Sequence, residues 1–350
     1  MLGLAVHKFN MRYLLGIETS CDDTGAAVVS LAEDGLVQAI SEVLSSQTDM
    51  HQLYGGVVPE LAAREHLSSL PVVISQALDQ AGLEIAQLSA IGVTRGPGLK
   101  GCLLVGLNFA KAFSLARQIP LIAVNHIEAH IYAAQLDNPE LRPPFLALVV
   151  SGGHTEIHVV RALGQYELIA RTVDDAAGEA FDKSANLLGF SYPGGAKLAA
   201  LADTVAGSEF RLPRVMRKAE GFSFSGLKTA IALLVRQQGH QLSDQAAKAS
   251  LAFAIQEAIV DALIFKLKQA VNRTGIRQIA VTGGVSANQF LRCRLSSWKQ
   301  VQVYFPELKH CVDNGANTAY LAAKRFAAGE TSDLAVTALA RWPIESTTCG

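Results

Sequence analysis

Two segments of the chain look like variants of one structural unit. LLGIETSCDDTGAAVVS, from Leu14, and FLALVVSGGHTEIHVV, from Phe145, each read as an apolar strand, a turn of small polar residues and a second apolar strand, about 130 residues apart. Such a repeat constrains the fold strongly, because each copy needs its own sheet and its own covering helices. The segments around the copies supply them. Helix-like PELAAREHLSSLPVVISQALDQAG, strand-like AIGVTRG, helix-like GLNFAKAFSLARQ and strand-like LIAVNH follow the first copy. After the second come helical patterns over Gly178 to Leu188 and Asp244 to Ala270. A strand, RQIAVTGG, a helix beginning near Ser286 and a final helix from about Asp313 to Ala328 complete the series. This alternation predicts an α/β fold. The expectation is two duplicated lobes with both turns opening into a cleft between them. Residues 13–125 and 311–345 form lobe I, 126–310 form lobe II, and 1–12 are an N-terminal extension. An ordinary pair of hairpins is the alternative reading of the two segments.

Half of the residues are hydrophobic, 17% are charged and the formal net charge is −1. This excludes a protein that coats nucleic acid with a basic surface, so any such contact is local. Five cysteines without a C-x-x-C pair give neither a disulfide framework nor a zinc ribbon. The start lacks the apolar centre of a secretory signal. Even LAFAIQEAIVDALIFKL carries Glu257 and Asp261, so no stretch reaches the roughly 18 uncharged apolar residues of a membrane span. A soluble, cytoplasmic protein is expected.

In the first turn Ser20, Asp22, Asp23 and Thr24 stand beside Gly25. In the second, Ser151, Gly152 and Gly153 offer backbone N–H groups that can cradle phosphate. A third piece, Gly283-Gly284-Val285-Ser286-Ala287-Asn288, lies at a strand-to-helix junction, where Asn288 can address a sugar hydroxyl or base edge. Each piece alone also reads as a plain turn or helix cap. Together they resemble the ribonuclease-H-like plan of the actin, Hsp70 and sugar-kinase (ASKHA) ATPases, which implies a nucleotide-like ligand and no particular reaction.

His126 and His130 are four apart in NHIEAHIYAAQL, where helical periodicity places both imidazoles on one face, as a first-row metal requires. Asp313, at the start of the last helix, is the third ligand chosen here; two solvated or capping histidines are the alternative. His154 and His158 lie on a strand pattern, which sets them about 13 Å apart and excludes a shared ion. A zinc peptidase would carry its glutamate directly after the first histidine. Here Ile127 holds that place, and Glu128 is rotated about 200° from His126.

The blocks IETSCDDTG, GGVVPELAAREH, TRGPGLKGCLLVG, NHIEAH, VSGGHTEI, DDAAGEAFDK, YPGG, FSFSGLKTA, TGGVSAN and CVDNGA resemble, in order, those of the TsaD family, formerly called O-sialoglycoprotein endopeptidases. The likeness runs from about Tyr13 to Lys324, and the histidine in VSGGHT resembles the bacterial and organellar branch. It implies transfer of threonylcarbamoyl from threonylcarbamoyl-AMP to N6 of adenosine 37 in tRNAs reading codons that begin with A. It also implies one divalent metal, iron or zinc, on His126, His130 and Asp313. Val149, Val150, Ser151, Gly152, Gly153, Asp182, Gly195 and Asn288 become substrate contacts. The partners implied are the tRNA anticodon loop, TsaB and TsaE homologues, and a TsaC-type synthase that supplies the donor. Three positions depart from the family pattern: Asp23 for glutamate, Ala196 for proline, and Asn317-Thr318 for an apolar pair.

A delocalised exocyclic amine needs an activated acyl donor and a base. Asp22 and Glu18 are the candidates for the base. Arg211, Arg214, Arg217 and Lys218, interleaved with phenylalanines, form a candidate RNA surface or equally a solvated face. A nucleotide-binding regulatory or chaperone-like module, or a kinase of the same fold, are the competing functions.

Overall fold

The computed structural model describes residues 11–213, 221–239 and 244–346. Ten strands and ten helices alternate along them. The strands are β1 (Arg12–Glu18), β2 (Asp23–Leu31), β3 (Val37–Ser46), β4 (Leu88–Gly96), β5 (Leu121–Asn125), β6 (Phe145–Val150), β7 (Thr155–Ala162), β8 (Gln165–Arg171), β9 (Gln278–Thr282) and β10 (Gln302–Tyr304). The helices are α1 (Thr48–Gln52), α2 (Pro59–Ala81), α3 (Lys100–Arg117), α4 (His126–Asp137), α5 (Ala177–Leu187), α6 (Gly195–Ala202), α7 (Ser225–Gln237), α8 (Gln245–Thr274), α9 (Gln289–Ser296) and α10 (Gly315–Ala327). None is long and apolar enough to cross a membrane among the described residues.

Two sheets carry the duplication. One has the order β3-β2-β1-β4-β5, and the other, read from its hairpin edge, β8-β7-β6-β9-β10. In both, three antiparallel strands are followed by two parallel ones. The chain divides into two compact units: Met1–Gln47, Val58–Tyr132 and Asp313–Cys349 in the first, and Thr48–Val57 with Ala133–Val312 in the second.

In the first unit α2 and α3 cover one face of the sheet, where Leu15, Ile17, Val28, Leu70, Val73, Ile91, Leu103 and Leu107 are buried together. Pro59 opens α2 and Gly82, at φ 64°, closes it, the usual asymmetry of helix ends. The other face receives α10 at very short range. A Cβ on Gly16 would lie 2.3 Å from the Ala319 backbone nitrogen, and one on Gly25 would lie 2.6 Å from that of Gly315. Only hydrogen at these Cα positions lets the helix seat on the strands. In the second unit the core gathers Leu146, Leu148, Ile157, Phe181, Phe222, Ile255, Ile259 and Leu263. Its central helix, α8, is capped by Asp244, whose carboxylate accepts the Ala247 N–H, and ends at Gly275.

Candidate functional site

In the first unit the chemistry collects where β1 turns into β2 and where β5 enters α4. Asn125 ends β5, and its Oδ1 accepts the N–H groups of Ile127 (2.9 Å) and Glu128 (3.2 Å). This cap starts the helix at His126, so His126 and His130 stand one turn apart on the same face. Their rings meet edge to face with centroids 4.6 Å apart. Asp313 lies just before the α10 cap Asn314, whose Oδ1 accepts the Asn317 N–H at 2.8 Å. Its Oδ1 is 2.9 Å from His130 Nε2 and 3.6 Å from His126 Nε2. One ligand atom from each of the three residues falls within 4.8 Å of the others.

That geometry passes a test for a metal. Two Nε2 atoms and a carboxylate oxygen converge, the histidines are buried, and the Asp313 side chain is 25% exposed, which leaves an open side for further ligands. The orientation of His126 is fixed from behind. Its Nδ1 lies 3.3 Å from Glu18 Oε2 and 3.2 Å from Ser20 Oγ. Glu18 is 2% exposed. Its Oε1 accepts the Ser20 N–H at 2.7 Å, and its Oε2 accepts the hydroxyls of Thr94 at 2.5 Å and Thr318 at 3.3 Å. Burial alone would raise its pKa, but His126 and the Thr94 hydroxyl hold it below the usual range. Burial likewise opposes a charge on His126, and the Asp313 and Glu18 carboxylates overcome it and push its pKa up to about 9.

Asp22 is half-buried in the same turn, and its carbonyl accepts the Gln47 N–H. Asp23 begins β2, with Oδ1 buried and unpartnered, and desolvation pushes its pKa up to about 7. Glu128 takes no part in the metal group. It is fully buried, and both its oxygens bind Arg325 at 2.6 Å.

The second unit builds its turn from glycine. Ser151 closes it, donating its N–H to the His154 carbonyl and accepting the His154 N–H on Oγ. Gly152 and Gly153 are exposed, with open space where a Cβ would stand. Two other glycines hold the turn from outside. A Cβ on Gly178 of α5 would lie 2.7 Å from the Ser151 carbonyl oxygen, and one on Gly283, at φ 86°, 2.5 Å from that of Val150.

Asp182 Oδ1 accepts the N–H groups of Gly194 (2.9 Å) and Gly195 (2.7 Å), and so sets the start of α6. Burial raises its pKa. Asn288 caps α9 through the Leu291 N–H at 2.8 Å, and its amide donates to Gln256 at 2.7 Å. The helix therefore begins after Asn288 and not near Ser286, because a short 3-10 turn over Gly284–Ala287 comes first. Gln256, buried in α8 and also bonded to Asp203 at 2.9 Å, is a site neighbour that sequence reading missed.

His158 pairs with Glu156 at 2.8 Å, as a strand histidine would. Asp137, Glu307 and His310 form another group of possible ligands that no motif announced; here Asp137 receives His310 Nδ1 at 2.8 Å and the Glu307 N–H at 2.7 Å. Of the expected RNA surface, Arg211 is exposed, and Arg214, Arg217 and Lys218 lie outside the described residues.

The family model described as TsaD, tRNA N6-adenosine threonylcarbamoyltransferase, matches residues 38–320. The chain belongs to the TsaD family. It is therefore a tRNA-modifying acyltransferase, and the regulatory-module and kinase readings are not favoured. Its fold is similar to that of component A of the (R)-2-hydroxyglutaryl-CoA dehydratase of Acidaminococcus fermentans, with 19% identity, TM-score 0.56, and 91% of this chain and 99% of that one covered. Nucleotide- and phosphate-bound HypF matches at 15% identity and TM-score 0.57, over 91% of this chain and 56% of that one. The ADPNP-bound activator of the Clostridium difficile 2-hydroxyisocaproyl-CoA dehydratase matches at 12% and 0.52, over 91% and 96%. These likenesses establish the duplicated ASKHA fold.

Thr318 belongs to the same group as Glu18. It is fully buried, and its hydroxyl bonds Thr94 at 3.1 Å as well as Glu18, so it extends the network behind His126.

Proposed function

We propose that this TsaD-family enzyme moves the threonylcarbamoyl group of threonylcarbamoyl-AMP onto N6 of adenosine 37 in tRNAs that read codons beginning with A. The observation that carries the metal-assisted form of this reading is the convergence of His126, His130 and Asp313. These residues would hold one divalent ion, iron or zinc, which supplies Lewis-acid polarisation of an oxygen beside the transferred carbonyl.

The amine lone pair attacks the carbamoyl carbon, the bond to the phosphate oxygen breaks, and AMP leaves with the electron pair. The open N–H groups of Gly152 and Gly153 suit the charge that develops on the carbonyl oxygen. Val149, Val150 and Ser151 bring that turn to the donor, and Asp182, Gly195 and Asn288 bind its remainder by way of the turns they shape. Glu18 has both oxygens engaged, so its part is to orient His126. Asp22 then takes the proton that the amine loses. Arg211 contacts the tRNA. The reaction belongs in the cytoplasm, with TsaB and TsaE homologues as partners and a TsaC-type synthase making the donor.

Mass spectrometry of tRNA nucleosides after incubation with threonylcarbamoyl-AMP, with and without those partners, tests this. Appearance of threonylcarbamoyladenosine is expected. Its absence with the partners present would reject the reading.

A further inference from the structure

One stretch of the second unit is markedly basic. From Ala262 to Pro306 the chain has no Asp or Glu and has seven cations: Lys266, Lys268, Arg273, Arg277, Arg292, Arg294 and Lys299. At the density of 31 acids in 350 residues, about four would fall in a stretch of this length. The protein is near neutral, so this segregation is local.

Some of these cations have structural work. Lys266 is buried, and Arg292 donates to the carbonyls of Ser286 (2.7 Å) and Pro306 (2.9 Å). Lys268, Arg273 and Lys299 are exposed and pair with no carboxylate among the described residues. A cavity of about 490 Å³ is lined by Lys268 and Asn272 of α8, Arg294 of α9, and Ser297, Trp298 and Lys299 beyond it. Arg294 pairs with Asp261 at 2.9 Å. The Lys268 ammonium stands 5.5 Å from the centre of the Trp298 ring.

Compensation of the helix dipole accounts for a cation in the last turn of α8. It does not account for Lys299 or for the lack of acids from Ala262 in α8 through β9, α9 and β10. Cations around a partly exposed indole suit a phosphodiester backbone with an unpaired base on the ring. The eight residues of α9 run from Asn288 toward this cavity, roughly 12 Å at 1.5 Å per residue.

We propose that the Lys268–Trp298–Lys299 surface holds the tRNA backbone next to the adenosine being modified. This rests on the tRNA-transferase reading above. The balance of the interaction is electrostatic, so its mark is a salt dependence and a KM effect with the chemical step spared.

The test is the affinity of unmodified tRNA transcript for wild type and for the double variant Lys268→Glu/Lys299→Glu between 50 and 200 mM salt. Lys268→Gln/Lys299→Gln is the milder version should the first fold poorly. Expected are a loss of at least about tenfold at low salt, a log–log salt slope reduced by about two, and a raised KM for tRNA at unchanged kcat. Trp298→Ala weakens binding without altering the slope. If both double variants bind tRNA as wild type does, with the same slope, while wild type still modifies tRNA, the surface proposal falls and the transferase reading stands. Loss of binding to oligo-glutamate in place of tRNA would assign the surface to an acidic protein and also overturn it. Failure of wild type itself to bind or modify tRNA would overturn both.

Discussion

The β1–β2 turn and the β6–β7 turn occupy the same place in sheets of the same topology, and they are filled in opposite ways. The first is packed with side chains: Glu18, Thr19, Ser20 and Thr24 are all buried, and Glu18 is held by four partners. The second is bare, with Gly152 and Gly153 exposing backbone. One copy of the duplicated unit has become a scaffold for charged side chains, the other a row of N–H groups. A side-chain site works through residues that must be oriented by others. A backbone site works through the absence of side chains, and its support comes from glycines such as Gly178 that let neighbours approach.

The largest effect that would break this contrast is expected at the metal group. His126→Ala should lower transfer at least about a thousandfold and leave the purified protein without its ion by elemental analysis. Wild-type metal content in that variant would remove the first turn from the chemistry.

Next, Gly16→Ala forces a Cβ to 2.3 Å from the Ala319 nitrogen and should cost about 3 kcal/mol in denaturant unfolding. Glu18→Gln, which keeps shape and removes the charge behind His126, should weaken metal affinity about 10- to 100-fold in a chelator competition.

Smaller again is a pH effect. Burial raises the Asp23 pKa from the ordinary aspartate range to about 7. The folded state thus binds the proton more tightly than the unfolded one, so this contribution to stability is full below the unfolded value and is lost as pH rises to about 7. Asp23→Asn does not titrate. In metal-stripped protein its Tm should gain on wild type between pH 5 and 7, by about 2–3 °C, and level off above. A constant gap would show the carboxyl to be ionised throughout. Smallest of all, Gly153→Ala should leave stability within about 0.5 kcal/mol while lowering transfer, which separates a functional glycine from the structural Gly16.

Much of the fold was legible because strand–turn–strand repetition and helical periodicity are local patterns. The same holds for His126 and His130, whose spacing is a property of one helix. Glu18, Thr94 and Thr318 were not legible as a unit, since their contact depends on β1, β4 and α10 coming together. Glu18 reads from sequence as a candidate base for that reason, and Thr318 only as a departure from the family pattern. Gln256 gave only a faint signal, a polar residue on the buried side of α8. The α9 start was misplaced because a serine and an asparagine two residues apart are equally good caps, and only the Gly284–Ala287 turn decides between them.

The seating of α10 against Gly16 and Gly25 also orders events during synthesis. A ribosome releases the two histidines some 180 residues before Asp313. Through that interval one face of the first sheet has no helix to cover it, while Ala133–Val312 emerges as a continuous stretch of the second unit. The later-encoded unit can thus fold first, and the earlier one waits for a helix that has not yet been made. Nascent chains held on the ribosome short of Asp313 should bind no metal, so the chemical centre is also a marker that translation has passed that point.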